Sequence, residues 1–131
     1  MGLSCRECTV YVVDGDADSR CSLVGQLQGH GLTVLAFESA EAFLENHDRI
    51  QAGCLLLELN LPGMSGLALQ RRLNQLQISL PLIFITSSAD VASAVRAIQN
   101  GAVDFLRKGP DTSRLIAVAN RLVTAIRTGR S

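Results

Sequence analysis

The chain has 131 residues, 47% of them hydrophobic, with only three prolines, and its 12 basic and 12 acidic side chains cancel. That length and apolar content support one compact domain rather than two. Neutrality supplies no electrostatic footprint for nucleic acid or an anionic membrane, no apolar run is long enough to span a bilayer, and residues 1–8 lack the apolar stretch of a secretory signal, so a cytoplasmic setting is expected.

In chain order, residues 1–8 read as an N-terminal arm, 9–128 as the domain and 129–131 as a tail. A first β-rich run, Thr9–Val13, precedes a helical pattern carrying Leu23, Val24 and Leu27. The run Thr33–Phe37 follows, and Ser39 then reads as the cap of a helix carrying Ala42, Phe43 and Leu44. Cys54–Leu59 is so densely aliphatic that it reads as a strand buried on both faces. Beyond the turn Pro62–Gly66, a helix carries Leu69, Leu73 and Leu76. Leu82–Thr86 is the fourth strand, and the fourth helix sets Val91, Ala94, Val95 and Ile98 on one face before stopping at Asn100-Gly101. The fifth strand is expected at Val103–Leu106, and the last helix carries Leu115, Ile116, Ala119, Leu122, Val123 and Ile126. Strict alternation with short connections predicts an α/β fold, a doubly wound parallel five-stranded sheet of (βα)5 type.

Polar residues stand at or just past four of the five strands: Asp14, Glu58, Thr86 and Lys108. In a parallel sheet these ends lie along one edge, so distant sequence positions converge on one site. A carboxylate at the end of so apolar a strand must surface at that edge or find a partner. Lys108 is the only lysine beside eleven arginines. A compact ammonium on a flexible stem, used once, points to a local need that a planar guanidinium would not meet.

Thr9–Asp14, the stretch Leu55–Gly66, Phe84-Ile85-Thr86 and Gly101–Lys108 resemble the motifs of response-regulator receiver domains, the flavour found before LuxR-type helix-turn-helix outputs. The resemblance covers about residues 9–127. It implies the flavodoxin-like strand order 2-1-3-4-5 and a place in two-component phosphorelay signal transduction. By position, Asp14 matches an acidic residue of the magnesium site, Glu58 the phosphoacceptor, Asn60 the residue whose carbonyl helps bind the metal, Thr86 and Phe105 the switch, and Lys108 the family's lysine. It further implies a partner face on the fourth helix, fifth strand and fifth helix, with Val91, Val95, Arg96, Asn100, Phe105 and Arg107 as candidates. The partner expected there is a histidine kinase, an output domain, another regulator or a second copy, with no direct nucleic-acid or membrane contact.

Three departures alter the expected chemistry. Gly15 stands where the family has a second acidic residue, which weakens any magnesium site, since that ion relies on few well-placed oxygens. Glu58 replaces an aspartate and extends one methylene further, about 1.5 Å, into a site where in-line phosphoryl transfer needs close positioning. Lys108-Gly109-Pro110 lacks a proline directly after the lysine, so a trans bond and an altered loop are expected. Together these predict a pseudo-receiver working through protein contact, not an enzyme, with no cofactor beyond weak magnesium. The alternatives are a receiver phosphorylated weakly on Glu58 or a nearby carboxylate, and a flavodoxin-like cofactor binder. The last lacks a Gly-rich loop after the first strand and has one tyrosine and no tryptophan to stack a flavin.

Two metal patterns fail on spacing. Cys5-x-x-Cys8 has the form of half a zinc site, but Cys21, Cys54, His30 and His47 supply no second half. Asp14-Gly15-Asp16-Ala17-Asp18 opens like a calcium loop, yet Ser19 and Gly25 stand where that loop requires glycine and glutamate. Reduced thiols are expected, two of them on the N-terminal arm.

Overall fold

A computed structural model describes residues 8–87 and 90–128. Five strands alternate with five α-helices: β1 (Thr9–Val13), α1 (Ala17–Gly29), β2 (Thr33–Phe37), α2 (Ala40–Leu44), β3 (Gly53–Glu58), α3 (Gly66–Gln75), β4 (Leu82–Thr86), α4 (Val91–Gln99), β5 (Asp104–Arg107) and α5 (Thr112–Arg127), with a 3-10 turn at His47–Arg49. The strands form one sheet in the order β2-β1-β3-β4-β5, and every neighbouring pair is parallel.

Side-chain alternation divides the sheet into two apolar faces. Val10, Val12, Cys54, Leu56, Ile83, Ile85 and Leu106 face α1 and α5, which contribute Leu23, Leu27, Leu115, Ile116, Ala119 and Val123. Tyr11, Val13, Leu55, Leu57, Leu82 and Phe84 face the other helices, which contribute Phe43, Leu69, Leu73 and Ala97. Because β3 lies central in the sheet and both faces are covered, all six of its residues are buried. Fully burying each such aliphatic side chain contributes about 1.5–3 kcal/mol, so this strand anchors the fold.

Local signals set the helix starts. Ser39 Oγ accepts from Ala42 N, Ser65 Oγ from Ala68 N, and Asp90 from Ala92 N and Ser93 N. Asp16 caps α1, accepting from Asp18 N. Gly101 ends α4 at φ +103°, a left-handed conformation that a side chain would strain.

Several expectations need correction. β3 starts and ends one residue earlier than Cys54–Leu59, and β5 is shifted one residue past Val103–Leu106. Leu76 caps α3 rather than lying within it. Cys8, expected on the arm, is buried in the core beneath α1 and α5, whereas Cys5 lies outside the described residues. On α4 the spacing left the direction of the apolar face open. Its apolar face does not pack on the sheet: Val91 is 78% exposed, Val95 49% and Ile98 48%, while Ala97 is the helix's one buried residue. Periodicity identifies which residues share a face and leaves open whether that face turns inward.

Candidate functional site

The order reverses at β1, which pairs with β2 on one side and β3 on the other, and open α/β sheets carry their binding crevice at such a switch point, at the C-terminal strand ends. Register aligns those ends: Val13 lies beside Leu57, Glu58 beside Ile85, and Thr86 beside Arg107. One further backbone bond holds each chain beyond its strand, from Asp14 N to Phe37 O at 3.1 Å, Leu59 N to Ile85 O at 3.2 Å, and Lys108 N to Thr86 O at 2.8 Å. These bonds bring Asp14, Glu58, Thr86 and Lys108 to one edge.

Lys108 Nζ lies 2.8 Å from Asp14 Oδ2 and 2.7 Å from Glu58 Oε1. The side chains are 22%, 1% and 7% exposed respectively, so two nearly buried carboxylates share one ammonium from the rim of the cleft. Asp14 is held further by Asp16 N on Oδ1 at 3.0 Å, Ser19 Oγ on Oδ2 at 2.7 Å, and Arg20 Nη1 on its carbonyl at 2.8 Å. Glu58 curls back on its own loop, where Oε2 accepts from Asn60 N at 2.9 Å. Burial alone would lower the Lys108 pKa, but hydrogen bonds to Asp14 and Glu58 and the attraction of both charges outweigh it and raise the value.

Thr86 is fully buried, and Asn60 Nδ2 donates to its Oγ1 at 3.4 Å. Phe105 pairs across the sheet with Phe84, two residues before Thr86, with ring centroids 6.0 Å apart, and is half-buried. Thr86 and Phe105 therefore project from the same sheet face, next to α4.

A divalent cation does not fit this arrangement. Gly15 supplies no ligand, Asp16 spends its Oδ1 on the α1 cap, and the two carboxylates that face the cleft already share an ammonium. Among the described residues no group of three or more His, Cys, Asp or Glu side chains is placed to hold a metal ion. An acidic residue at 15 also meets a steric limit, since a Cβ there would lie 3.2 Å from Pro62 Cδ. Lys108–Gly109 is trans, and Gly109 has φ +87°, which proline cannot adopt and which favours glycine, so the loop after the lysine takes a path that a proline there would not allow. Burial pushes the Cys54 thiol up to about 12, which keeps it protonated and unreactive.

Nothing in the residue pattern marked Ser19, Arg20 or Glu41 as part of the site. Ser19 and Arg20 lie on α1, whose first turn passes over Asp14, and an Asp-x4-Ser spacing is too common to mark them. Glu41, on α2, accepts from Met64 N at 2.9 Å and so holds the turn after Glu58. That backbone bond also lowers the Glu41 pKa. Arg96, Asn100 and Arg107, on α4, at its end and on β5, are exposed.

A doubly wound sheet with an acidic and lysine cluster at its switch point defines a class of signalling domain. The chain belongs to the response regulator receiver domain family, which it matches over residues 10–120. It is 41% identical over 103 residues to the response regulator protein TmoT of Ectopseudomonas mendocina, covering 79% of this chain and 47% of that protein. It is 40% identical over 113 residues to the transcriptional regulatory protein FixJ of Rhizobium meliloti, covering 86% of this chain and 55% of FixJ. The crystal structure of FixJ-N superimposes with a TM-score of 0.83 at 38% identity, covering 91% of this chain and 95% of that one. The chain spans about half the length of the curated relatives it matches. No helix among the described residues is long and apolar enough to cross a membrane.

Proposed function

We propose that this chain is an atypical receiver that signals through protein contact, with Glu58 held by Lys108 where the family's aspartate accepts a phosphoryl group. The observation that carries this reading is the ammonium bridging Glu58 and Asp14 at 2.7 and 2.8 Å. In that position Lys108 does by charge what a bound cation would do, and it holds the glutamate by the group expected to track a phosphoryl oxygen. The extra methylene of Glu58 spoils in-line geometry, and its Oε2 is committed to Asn60 N. The domain is regulatory rather than catalytic on this reading, and it acts in the cytoplasm.

The partner face is the outer surface of α4, β5 and α5. Val91, Val95, Ile98 and Val103 expose apolar area there, with Arg96, Asn100 and Arg107 around them. Apolar residues rimmed by polar ones are the composition of a docking surface. The partner is a kinase, an output domain, another regulator or a second copy of the chain.

Incubation with magnesium and either acetyl phosphate or beryllofluoride is expected to leave intact mass and backbone NMR shifts unchanged. A phosphoryl adduct on Glu58 would overturn the pseudo-receiver reading in favour of weak phosphoacceptance. Gly15→Asp combined with Glu58→Asp is the restoring change, and the Pro62 ring must yield by a few tenths of an ångström to admit it.

A further inference from the structure

The two edges of the sheet are finished differently. At one edge, Lys108 N donates to Thr86 O, so along β5 the alternate residues Phe105 and Arg107 turn their backbone N–H groups away from β4. Both are taken by carboxylates of the chain itself, Phe105 N by Asp104 Oδ1 at 2.8 Å and Arg107 N by Asp111 Oδ2 at 2.9 Å. Asp104 also pairs with Arg114 at 3.1 Å, so this edge is charged as well as capped.

At the other edge, Asp14 N donates to Phe37 O, which fixes the alternation along β2. Thr33, Leu35 and Phe37 turn their backbone groups to β1, and Val34 and Ala36 turn theirs outward. Among the described residues neither a further strand nor a side chain bonds to those outward groups. The strand itself, Thr-Val-Leu-Ala-Phe, has no charge and no proline, and Leu35 at its centre is 52% exposed. An uncharged edge of this kind is a template for one more strand, which proteins ordinarily block with charge, proline or a bulge. This chain blocks β5 and leaves β2 open.

We propose that the β2 edge binds a second copy of this chain, β2 against β2 and antiparallel about a twofold axis at Leu35, so that two sheets join into one. The register follows from the outward groups. With Leu35 opposite its own copy, Val34 faces the second copy's Ala36, and such a pair exchanges both of its N–H···O bonds, so every outward group of Val34 and Ala36 is satisfied at once. A slip of one residue would set the outward groups of one copy against the inward groups of the other. Leu35 then stands in a non-hydrogen-bonded pair, about 4.5 Å between Cα atoms, and its exposed side chain gains an apolar neighbour. Charge permits the same register. Glu38, the first acid past the strand, falls opposite the second copy's Leu32, and the length of strand from Leu32 to Glu38 keeps the two Glu38 charges about 20 Å apart, beyond the screening length of about 8 Å. An isologous contact closes as a dimer and does not grow into a filament. It lies at the opposite edge of the sheet from β5 and stands independently of the partner-face reading above.

The test is sedimentation of the intact chain over a wide concentration series, with amide hydrogen exchange read residue by residue by NMR. The native chain is expected to pass from monomer to dimer, and the amides of Val34 and Ala36 to slow by about tenfold or more as it does, while those of Phe105 and Arg107 keep one rate. Leu35→Glu sets like charges opposite each other, and Ala36→Pro removes an outward N–H without touching a bond to β1. Each variant should stay folded by circular dichroism and remain monomeric. Should either fail to fold, the concentration dependence of Val34 and Ala36 in the native chain still decides. A native chain that is monomeric throughout, or Val34 and Ala36 amides that exchange at one rate across the series, would overturn the proposal. So would a dimer that survives both variants and is lost in Val95→Asp, which would place the contact on α4.

Discussion

Lys108 serves two acids at once, and the energetics of removing it follow from burial rather than from the pair count. Exposed ion pairs contribute about 0–1 kcal/mol, but truncating one member of a buried set strands the remaining charge and costs about 3–5 kcal/mol. With Asp14 1% and Glu58 7% exposed, the Lys108→Ala variant belongs near the second range, discounted for the partly exposed ammonium. Glu58→Gln leaves the Asp14–Lys108 pair in place and should cost less, about 1–2 kcal/mol. Urea titrations of both single variants and the double variant are expected to give a less than additive sum. If the cluster biases the switch, both single variants shift the Phe105 ring resonances in one direction. An unmoved Phe105 in both would leave Glu58 with a purely structural role.

The same cluster sets an alkaline limit. The folded pKa of Lys108 lies above its unfolded value, so its stabilising contribution is fully present below about pH 10.4 and is lost as pH rises through the raised folded value. The stability difference between the native chain and Lys108→Met should therefore stay level from pH 7 to about 10 and shrink beyond it. A difference that declined already between pH 7 and 9 would contradict the raised value.

Among the elements, α4 is the informative case. Its boundary was readable from Asn100-Gly101, and its apolar residues share a side of the helix as the spacing requires. The direction in which that side turns was not readable, because an amphipathic pattern is the same whether the apolar side meets a sheet or a partner. Gln70, buried on α3 with its Nε2 donating to the carbonyl of Ala97, gave no signal at all, since a polar residue inside a helical pattern reads as solvent-facing until its neighbours are known. Outward placement of Val95 makes Val95→Asp a clean probe. The substitution is expected to change unfolding free energy by no more than about 0.5 kcal/mol, as for other surface positions, while weakening self-association or partner capture. A loss of several kcal/mol would mean that Val95 packs inward after all.

Across the whole molecule, alternation of β and α patterns was sufficient to reach the parallel sheet, and the match to receiver motifs supplied the strand order. The convergence of Asp14, Glu58, Thr86 and Lys108 was also legible, because parallel strands necessarily bring their C-terminal ends to one side. What the sequence withheld was the pairing among those residues. The shared ammonium depends on side-chain reach across β1, β3 and the loop after β5, and Gly109 sets the path of that loop through a positive φ that composition does not reveal. The matched stretch covers about half the length of the curated relatives, and both faces of the sheet are covered by helices of this domain.

The lone lysine gives this centre a chemical address. Amine-selective acylation of the side chains has one possible target in the whole sequence, and that target is in the ion cluster. A raised pKa leaves little neutral amine, and the two carboxylates occupy the nitrogen, so native Lys108 is expected to label slowly at neutral pH. Labelling speed then reports how often the cluster opens, without isotopes or a fluorophore. Glu58→Gln should label several-fold faster than the native chain by intact mass, and a partner that tightens the cleft should slow it. Equal rates in the native and Glu58→Gln chains would mean that Glu58 does not guard the amine.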